Sequence, residues 1–87
     1  MAATVETVRG FILGLLQEKG PLPEGVDVDG YRYLDTGHID SLGLIKFAFR
    51  IEEAFDLRFS PQEIASEEFR TVGGLARLVA ARAGQQG

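Results

Sequence analysis

A histidine and a serine close together in the chain are the first candidates for chemistry. His38 is the only histidine, and it lies three residues before Ser41. A serine nucleophile needs a base within hydrogen-bond reach, a group that orients that base and an oxyanion hole, and the sequence lacks the Gly-x-Ser-x-Gly turn of many serine hydrolases. We therefore expect His38 to be a solvated loop histidine, and we predict no catalytic residue.

The acidic segment Asp27-Val28-Asp29-Gly30 has some likeness to a calcium-binding loop. If Gly30 takes the sixth position of such a loop, Gly25 and Thr36 take the first and twelfth, where carboxylate ligands are needed. A solvated acidic loop is the better interpretation. The chain has no cysteine, which excludes zinc–thiolate clusters and cysteine nucleophiles. We predict no metal site.

Length and charge restrict the class of protein. A chain of 87 residues with 45% hydrophobic side chains can form one core, so we expect a single domain over residues 1–87 and a monomer. The net charge of −4 disfavours binding to nucleic acid or to an anionic membrane surface. No apolar segment approaches the ~20 residues of a membrane span, and no signal peptide is evident. We predict a cytoplasmic protein without membrane insertion.

The first half of the chain consists of a helix and a long connection. Apolar residues at three- and four-residue steps predict a helix from about Thr4 to Lys19, ended by Gly20-Pro21. Proline and glycine interrupt residues 20–40, which we predict to be a connection that packs on the core. The expected anchors of this connection are Val26, Val28, Tyr31, Tyr33 and Leu34.

A second helix is predicted over about Ser41 to Phe55, with Asp40 as its N-cap. Its apolar residues cover more than half of the helical circumference and are Leu44, Ile45, Phe47, Ala48, Phe49, Ile51 and Phe55. They leave Lys46, Arg50 and Glu53 as a narrow polar stripe. We therefore expect this helix to be the central one.

Two further helices complete an all-α prediction. Ser60-Pro61-Gln62-Glu63 has the pattern of a capping box and predicts a short third helix. Thr71 is the expected cap of the last helix, although Gly73 and Gly74 each cost about 0.8–1 kcal/mol relative to alanine. We expect the tail from Gly84 to Gly87 to be frayed.

Ser41 occupies the first turn of the predicted central helix. A phosphate bonded to its hydroxyl would be stabilised there by the helix dipole and by free backbone N–H groups. The alternative is that Asp40 caps the helix and Ser41 is an ordinary first-turn residue. The two residues by themselves leave both possibilities open.

Over nearly its whole length the sequence resembles the acyl carrier protein family. The segments that carry the resemblance are the apolar first helix, Tyr33-Leu34-Asp35-Thr36-Gly37-His38-Ile39, Asp40-Ser41-Leu42, Ile51-Glu52-Glu53-Ala54-Phe55-Asp56 and Phe69-Arg70-Thr71-Val72. The resemblance implies a four-helix bundle with a long loop between helices one and two and a short third helix. It also implies a carrier that is not itself an enzyme.

The resemblance assigns the cofactor and the attachment residue. A phosphopantetheinyl transferase would move 4′-phosphopantetheine from coenzyme A to Ser41, and the thiol of this arm would hold acyl or aminoacyl groups as thioesters. In the family the aspartate before the serine also helps the transferase hold magnesium, so Asp40 would have two roles. The alternative is a helical protein-interaction module with an unmodified Ser41.

The resemblance is closer to specialised carriers than to the housekeeping fatty-acid carrier, whose loop typically has Asp-Leu-Gly-x-Asp-Ser-Leu. The segment Asp35-Thr36-Gly37-His38-Ile39-Asp40-Ser41-Leu42 is more similar to D-alanyl carriers and to free-standing carriers of polyketide, nonribosomal or other specialised pathways. We expect a free-standing protein. Its partners would be acyl or aminoacyl ligases, synthases or transferases.

The expected partner surface is on the second helix, at Leu42, Lys46, Arg50 and Glu53. Housekeeping carriers generally show an acidic surface there to basic patches on their synthases, so two positive charges would repel such patches and favour dedicated enzymes. The alternative is that Lys46 and Arg50 are ordinary solvated residues. The cargo is open, because the phenylalanines at 47, 49 and 55 could either line or fill a pocket between the helices.

Overall fold

The computed structural model describes residues 4–84, and all regular structure in that range is helical. The four α-helices are α1 (Val5–Lys19), α2 (Ser41–Phe55), α3 (Pro61–Ile64) and α4 (Val72–Gly84), and 3₁₀ turns occupy Val28–Gly30 and Glu67–Arg70. The predicted all-α fold is confirmed, with the long loop and the short third helix in their expected places. The frayed tail was predicted to begin at Gly84, which is instead the last residue of α4, and its other residues, 85–87, lie outside the described residues.

The helices begin at the residues whose side chains can cap them. Thr4 caps α1 by accepting a hydrogen bond from the Thr7 N–H at 3.1 Å. The predicted capping box of α3 is present, since Ser60 and Glu63 each accept a hydrogen bond from the backbone N–H of the other. At α4 the Thr71 hydroxyl accepts a hydrogen bond from the Gly74 N–H at 3.0 Å.

Tyr33 attaches the long loop to the core. Its side chain is completely buried, and its hydroxyl donates a hydrogen bond to the backbone carbonyl of Phe69. Burial raises the pKa of the Tyr33 phenol well above its usual value. The Tyr33 ring packs against Phe47 of α2, with 5.1 Å between ring centroids. One side chain thus joins the loop, α2 and the 3₁₀ turn that precedes α4.

The loop packs on the core through fewer residues than the sequence predicts. Tyr31 and Tyr33 are buried, and Val28 and Leu34 are half-buried. Val26 is exposed, so its assignment as an anchor is wrong. The physical reason is that Asp27 caps a 3₁₀ turn that begins only at Val28, which leaves Val26 outside the segment that packs on the core.

An ion pair between α3 and α4 makes stability depend on pH. The Arg82 guanidinium donates to the Glu63 carboxylate, and this contact lowers the pKa of Glu63 below its usual value. A lowered native pKa adds stability above the unfolded-state value of about 4.3, and this stability disappears as the pH falls through the native value.

We expect Glu63→Gln, which can still form a capping box, to lower the free energy of unfolding by about 0.5–1 kcal/mol at pH 7. This difference should shrink towards zero as the pH falls from about 5 to 2, because the parent carboxylate is then protonated. Urea unfolding midpoints across that range measure the effect. A difference between the two proteins that stays constant with pH would contradict it.

Candidate functional site

Asp40 is the N-cap of α2. This residue has extended backbone geometry, and its Oδ1 accepts a hydrogen bond from the Gly43 N–H at 2.7 Å. A Cβ atom at Gly43 would come within 3.1 Å of that oxygen, so the glycine leaves room for the cap. The predicted N-cap is confirmed.

Ser41 is the first residue of α2, and it is exposed. Leu42 beside it is 84% exposed, so the first turn of α2 projects from the surface. A large reactant or a second protein can therefore approach the Ser41 hydroxyl.

His38 is not the solvated loop histidine that the sequence suggested. It is half-buried, with its Nε2 at 2.7 Å from the Leu16 carbonyl oxygen and its Nδ1 at 2.8 Å from the Tyr31 hydroxyl. A carbonyl only accepts, so Nε2 carries a proton and donates a hydrogen bond to Leu16. The physical reason is that the loop folds back onto the last turn of α1, where the Leu16 carbonyl oxygen accepts from the Gly20 N–H at 3.2 Å and also from His38.

This arrangement also bears on catalysis by Ser41. Both ring nitrogens of His38 are engaged by Leu16 and Tyr31, and neither is hydrogen-bonded to Ser41. The histidine fastens the loop to α1 instead of acting as a base towards the serine. Within residues 4–84 no group of three or more histidine, cysteine, aspartate or glutamate side chains is arranged to hold a metal ion.

The surface of α2 is more apolar than the sequence predicts. Ile45 and Phe49, which the helical pattern places on the apolar side, are 67% and 58% exposed. With Leu42 they form one exposed row, which we name the apolar stripe. The four-residue helix α3 leaves this side of α2 uncovered, and its Ile64 lines a depression of ≈240 Å³ together with Ile45 and Phe49.

The predicted polar stripe of Lys46, Arg50 and Glu53 is exposed. Arg50 donates to both carboxylate oxygens of Glu18 on α1, at 3.2 and 3.3 Å, and this contact raises the pKa of Arg50. Glu18 was not among the predicted site residues. Only the packing of α1 beside α2 reveals this pair, because its members lie 32 residues apart.

The three phenylalanines of α2 have different environments. Phe47 is buried against Tyr33, and Phe55 packs edge-on against Phe11 of α1 with ring centroids 5.5 Å apart. Phe49 is exposed and lines surface depressions. Two of the rings therefore fill the bundle and one lines its surface.

None of the described helices, which lie within residues 4–84, is both long and apolar enough to cross a membrane. A family model described as the phosphopantetheine attachment site matches residues 11–79, which is most of the chain. Comparisons with curated proteins and with solved structures find no match.

The match spans α1 from Phe11 onward, the long loop, α2, α3 and most of α4. Members of this family are non-catalytic carriers that bear covalent 4′-phosphopantetheine and work with phosphopantetheinyl transferases and biosynthetic enzymes. The carrier family expected from the sequence is thus confirmed. This chain belongs to the phosphopantetheine attachment family, and it is a carrier protein and not an enzyme.

Proposed function

We propose that this carrier holds acyl or aminoacyl groups as thioesters on an arm attached to Ser41. The observation that carries the proposal is the exposed serine at the first position of α2, directly after the capping Asp40 and inside the matched segment. Residues 35–42 differ from the Asp-Leu-Gly-x-Asp-Ser-Leu motif of housekeeping fatty-acid carriers, and this difference favours a specialised lipid, polyketide or aminoacyl-transfer pathway. A single domain over residues 1–87, a monomer and a cytoplasmic location stay predictions.

The residues around Ser41 fit a phosphopantetheine group. The serine hydroxyl is exposed, and the first turn of the 15-residue helix α2 favours a negative charge such as that of a phosphodiester. When bound, the group supplies the thiol that a chain without cysteine lacks. The chain itself positions the arm: α2 fixes the direction in which Ser41 projects, and Asp40 fixes the start of α2.

Asp40 can serve the helix and the transferase together. Its Oδ1 is engaged with the Gly43 N–H, while its Oδ2 has no hydrogen bond within residues 4–84. The free oxygen is available to the magnesium ion that the transferase holds. We therefore propose that one oxygen caps α2 and the other is recognised by the transferase.

Two variants separate these roles of Asp40. Asparagine is as good an N-cap as aspartate, so Asp40→Asn should retain the stability of the parent, whereas Asp40→Ala should lose about 1 kcal/mol. Both should slow transfer of the arm by about tenfold or more, because both lack the charged contact to the transferase's metal. Urea unfolding and the initial rate of mass gain measure the two effects. Parental transfer rates for Asp40→Asn would show that the residue acts only as a cap.

We propose that partner enzymes dock on α2 at Leu42, Lys46, Arg50 and Glu53, together with the apolar stripe. The 84% exposure of Leu42 supports an apolar contact beside the arm. Glu18 balances the charge of Arg50, so Lys46 supplies more of the positive field than Arg50 does. A dedicated partner would therefore meet a mainly apolar surface with a positive charge beside it.

The double variant Lys46→Glu/Arg50→Glu tests whether these charges exclude other enzymes. We expect it to be loaded by housekeeping fatty-acid synthase enzymes about three- to fivefold faster than the parent, since two repulsive charges are reversed. The control is Arg77→Glu, which reverses the charge of an exposed residue on α4, away from the proposed docking surface. Equal loading of the parent and the α2 variant would mean that Lys46 and Arg50 are ordinary solvated residues.

Intact mass tests the carrier proposal itself. The purified protein is incubated with coenzyme A, magnesium and a broad-specificity phosphopantetheinyl transferase, and peptide fragmentation then locates the added mass. We expect one phosphopantetheine per chain, on the peptide that contains Ser41. A folded protein that gains no mass would favour the alternative, a helical interaction module in which the apolar stripe binds a partner helix.

A further inference from the structure

Two adjoining surface depressions lie between the end of α1 and the start of α2. The larger has a volume of ≈260 Å³, and its lining includes the apolar side chains of Leu15, Ile39 and Phe47. The smaller has a volume of ≈70 Å³, includes Asp40 and shares Ile39 with the larger one. Together they form what we name the α1–α2 groove. It begins beside Asp40, the residue that precedes Ser41.

The chain has only two lysines, and both line this groove. Lys19 lines both depressions, and Lys46 lines the larger one. Within residues 4–84 neither lysine forms a salt bridge, whereas Arg50 on the same depression is paired with Glu18.

The larger depression is thus lined by three positive charges and one negative charge, on a chain whose net charge is −4. With Asp40 of the smaller depression counted, the α1–α2 groove has three positive and two negative side chains, so its local charge is positive on a protein of net negative charge. The combination of an apolar lining with unpaired lysines complements a ligand that has a carbon chain and an anionic end.

We propose that the α1–α2 groove binds the acyl group of a dicarboxylic acid while that group is held as a thioester on the arm. The inference rests on the proposed attachment of the arm to Ser41. The methylene groups of the cargo contact the apolar lining. The terminal carboxylate accepts hydrogen bonds from the ammonium groups of Lys46 and Lys19. A neutral acyl group of the same length gains only the apolar contact.

The arm is long enough for this arrangement. Lys46 lies five residues after Ser41, which is about 7.5 Å along the axis of α2. The pantetheine part contains three units of roughly residue length, and three extended residues span about 10–11 Å. Because the cargo is tethered, its effective concentration at the groove is in about the millimolar range. The tether therefore lowers the affinity that the apolar contacts and the carboxylate–lysine contacts have to supply together.

Two cargoes of similar length and different charge test the inference. A broad-specificity transferase loads the full-length chain from succinyl-coenzyme A or from butyryl-coenzyme A, and intact mass confirms each product. Amide NMR spectra are then compared with those of the protein that carries the free thiol. We expect the succinyl form to shift the amides of Gly43, Phe47 and Arg50 at least about twice as much as the butyryl form, and the excess to fall at high salt.

Variants in which glutamine replaces a positively charged residue identify the side chains that bind the cargo carboxylate. Lys19→Gln/Lys46→Gln should reduce the succinyl shifts to the butyryl level. Arg77→Gln removes a positive charge from an exposed residue of α4 that lines neither depression, and it should leave the shifts unchanged.

Equal shifts for the two cargoes in the parent would overturn the inference and would leave the lysines as contacts for an acidic partner protein. Succinyl shifts that persist without both lysines would also overturn it. A chain that gains no mass from either thioester contradicts the proposed function, and with it this inference. The mass measurement thus distinguishes failure of the carrier proposal from failure of the proposal that the groove binds the cargo.

Discussion

Ser41→Ala is expected to abolish attachment of phosphopantetheine while leaving the fold intact. The transferase forms a bond to the Ser41 oxygen, and alanine offers no atom in its place. Ser41 is exposed at the first position of α2, and the cap of that helix comes from Asp40. The substitution should therefore change the free energy of unfolding by less than about 0.5 kcal/mol. Intact mass after incubation with the transferase and urea unfolding measure the two quantities.

The matched control for this experiment is Ser66→Ala. Ser66 lies outside α2, and its hydroxyl donates to the Glu63 carbonyl, so the control removes a hydroxyl that takes part in the fold. The control should gain one phosphopantetheine like the parent. A full mass gain on Ser41→Ala would place the arm on another residue and would remove the basis of the proposed function. Loss of the gain in both variants would show that the transferase responds to something other than Ser41.

The features that the sequence predicted correctly are local in the chain. Helix caps depend on residues three apart, so Asp40 could be identified before any packing was known, and so could Ser60 with Glu63. The all-α fold followed from the spacing of apolar residues, which the packing of α1 on α4 then satisfied. The serine at the start of α2 needed the family resemblance, because an Asp-Ser pair alone is also an ordinary helix start.

The features that the sequence missed depend on which elements face each other. The pairing of Arg50 with Glu18 and the contact of His38 with Leu16 both join α1 to segments more than twenty residues away. A helical pattern shows that Phe49 belongs to the apolar side of α2, but only the packed structure shows that this side stays exposed. The same limit applies to the α1–α2 groove, because its two lysines come together only in the fold.

Gly74→Ala is expected to destabilise the protein by about 2–3 kcal/mol, although alanine is the better helix former. A Cβ atom at Gly74 would lie 2.6 Å from the Glu68 carbonyl oxygen and 2.7 Å from the Thr71 hydroxyl oxygen. The carbonyl is backbone, so the 3₁₀ turn Glu67–Arg70 would have to move away from α4. That turn contains Phe69, whose carbonyl accepts a hydrogen bond from the Tyr33 hydroxyl. Moving the turn would therefore also disturb Tyr33, which attaches the long loop to the core.

The control for Gly74 lies in α1. A Cβ atom at Gly14 would meet no atom within 4 Å, so Gly14→Ala should raise the free energy of unfolding by about 0.5–1 kcal/mol. Urea unfolding of both variants should give shifts of opposite sign. A stabilised Gly74→Ala would mean that α4 and the 3₁₀ turn can separate without cost.

Asp40 caps α2 through a contact within its own first turn, so the folded Gly74→Ala protein should still accept the arm on Ser41. The helix start that presents the serine is thus local, whereas the position of α4 depends on a glycine whose contacts the sequence does not show.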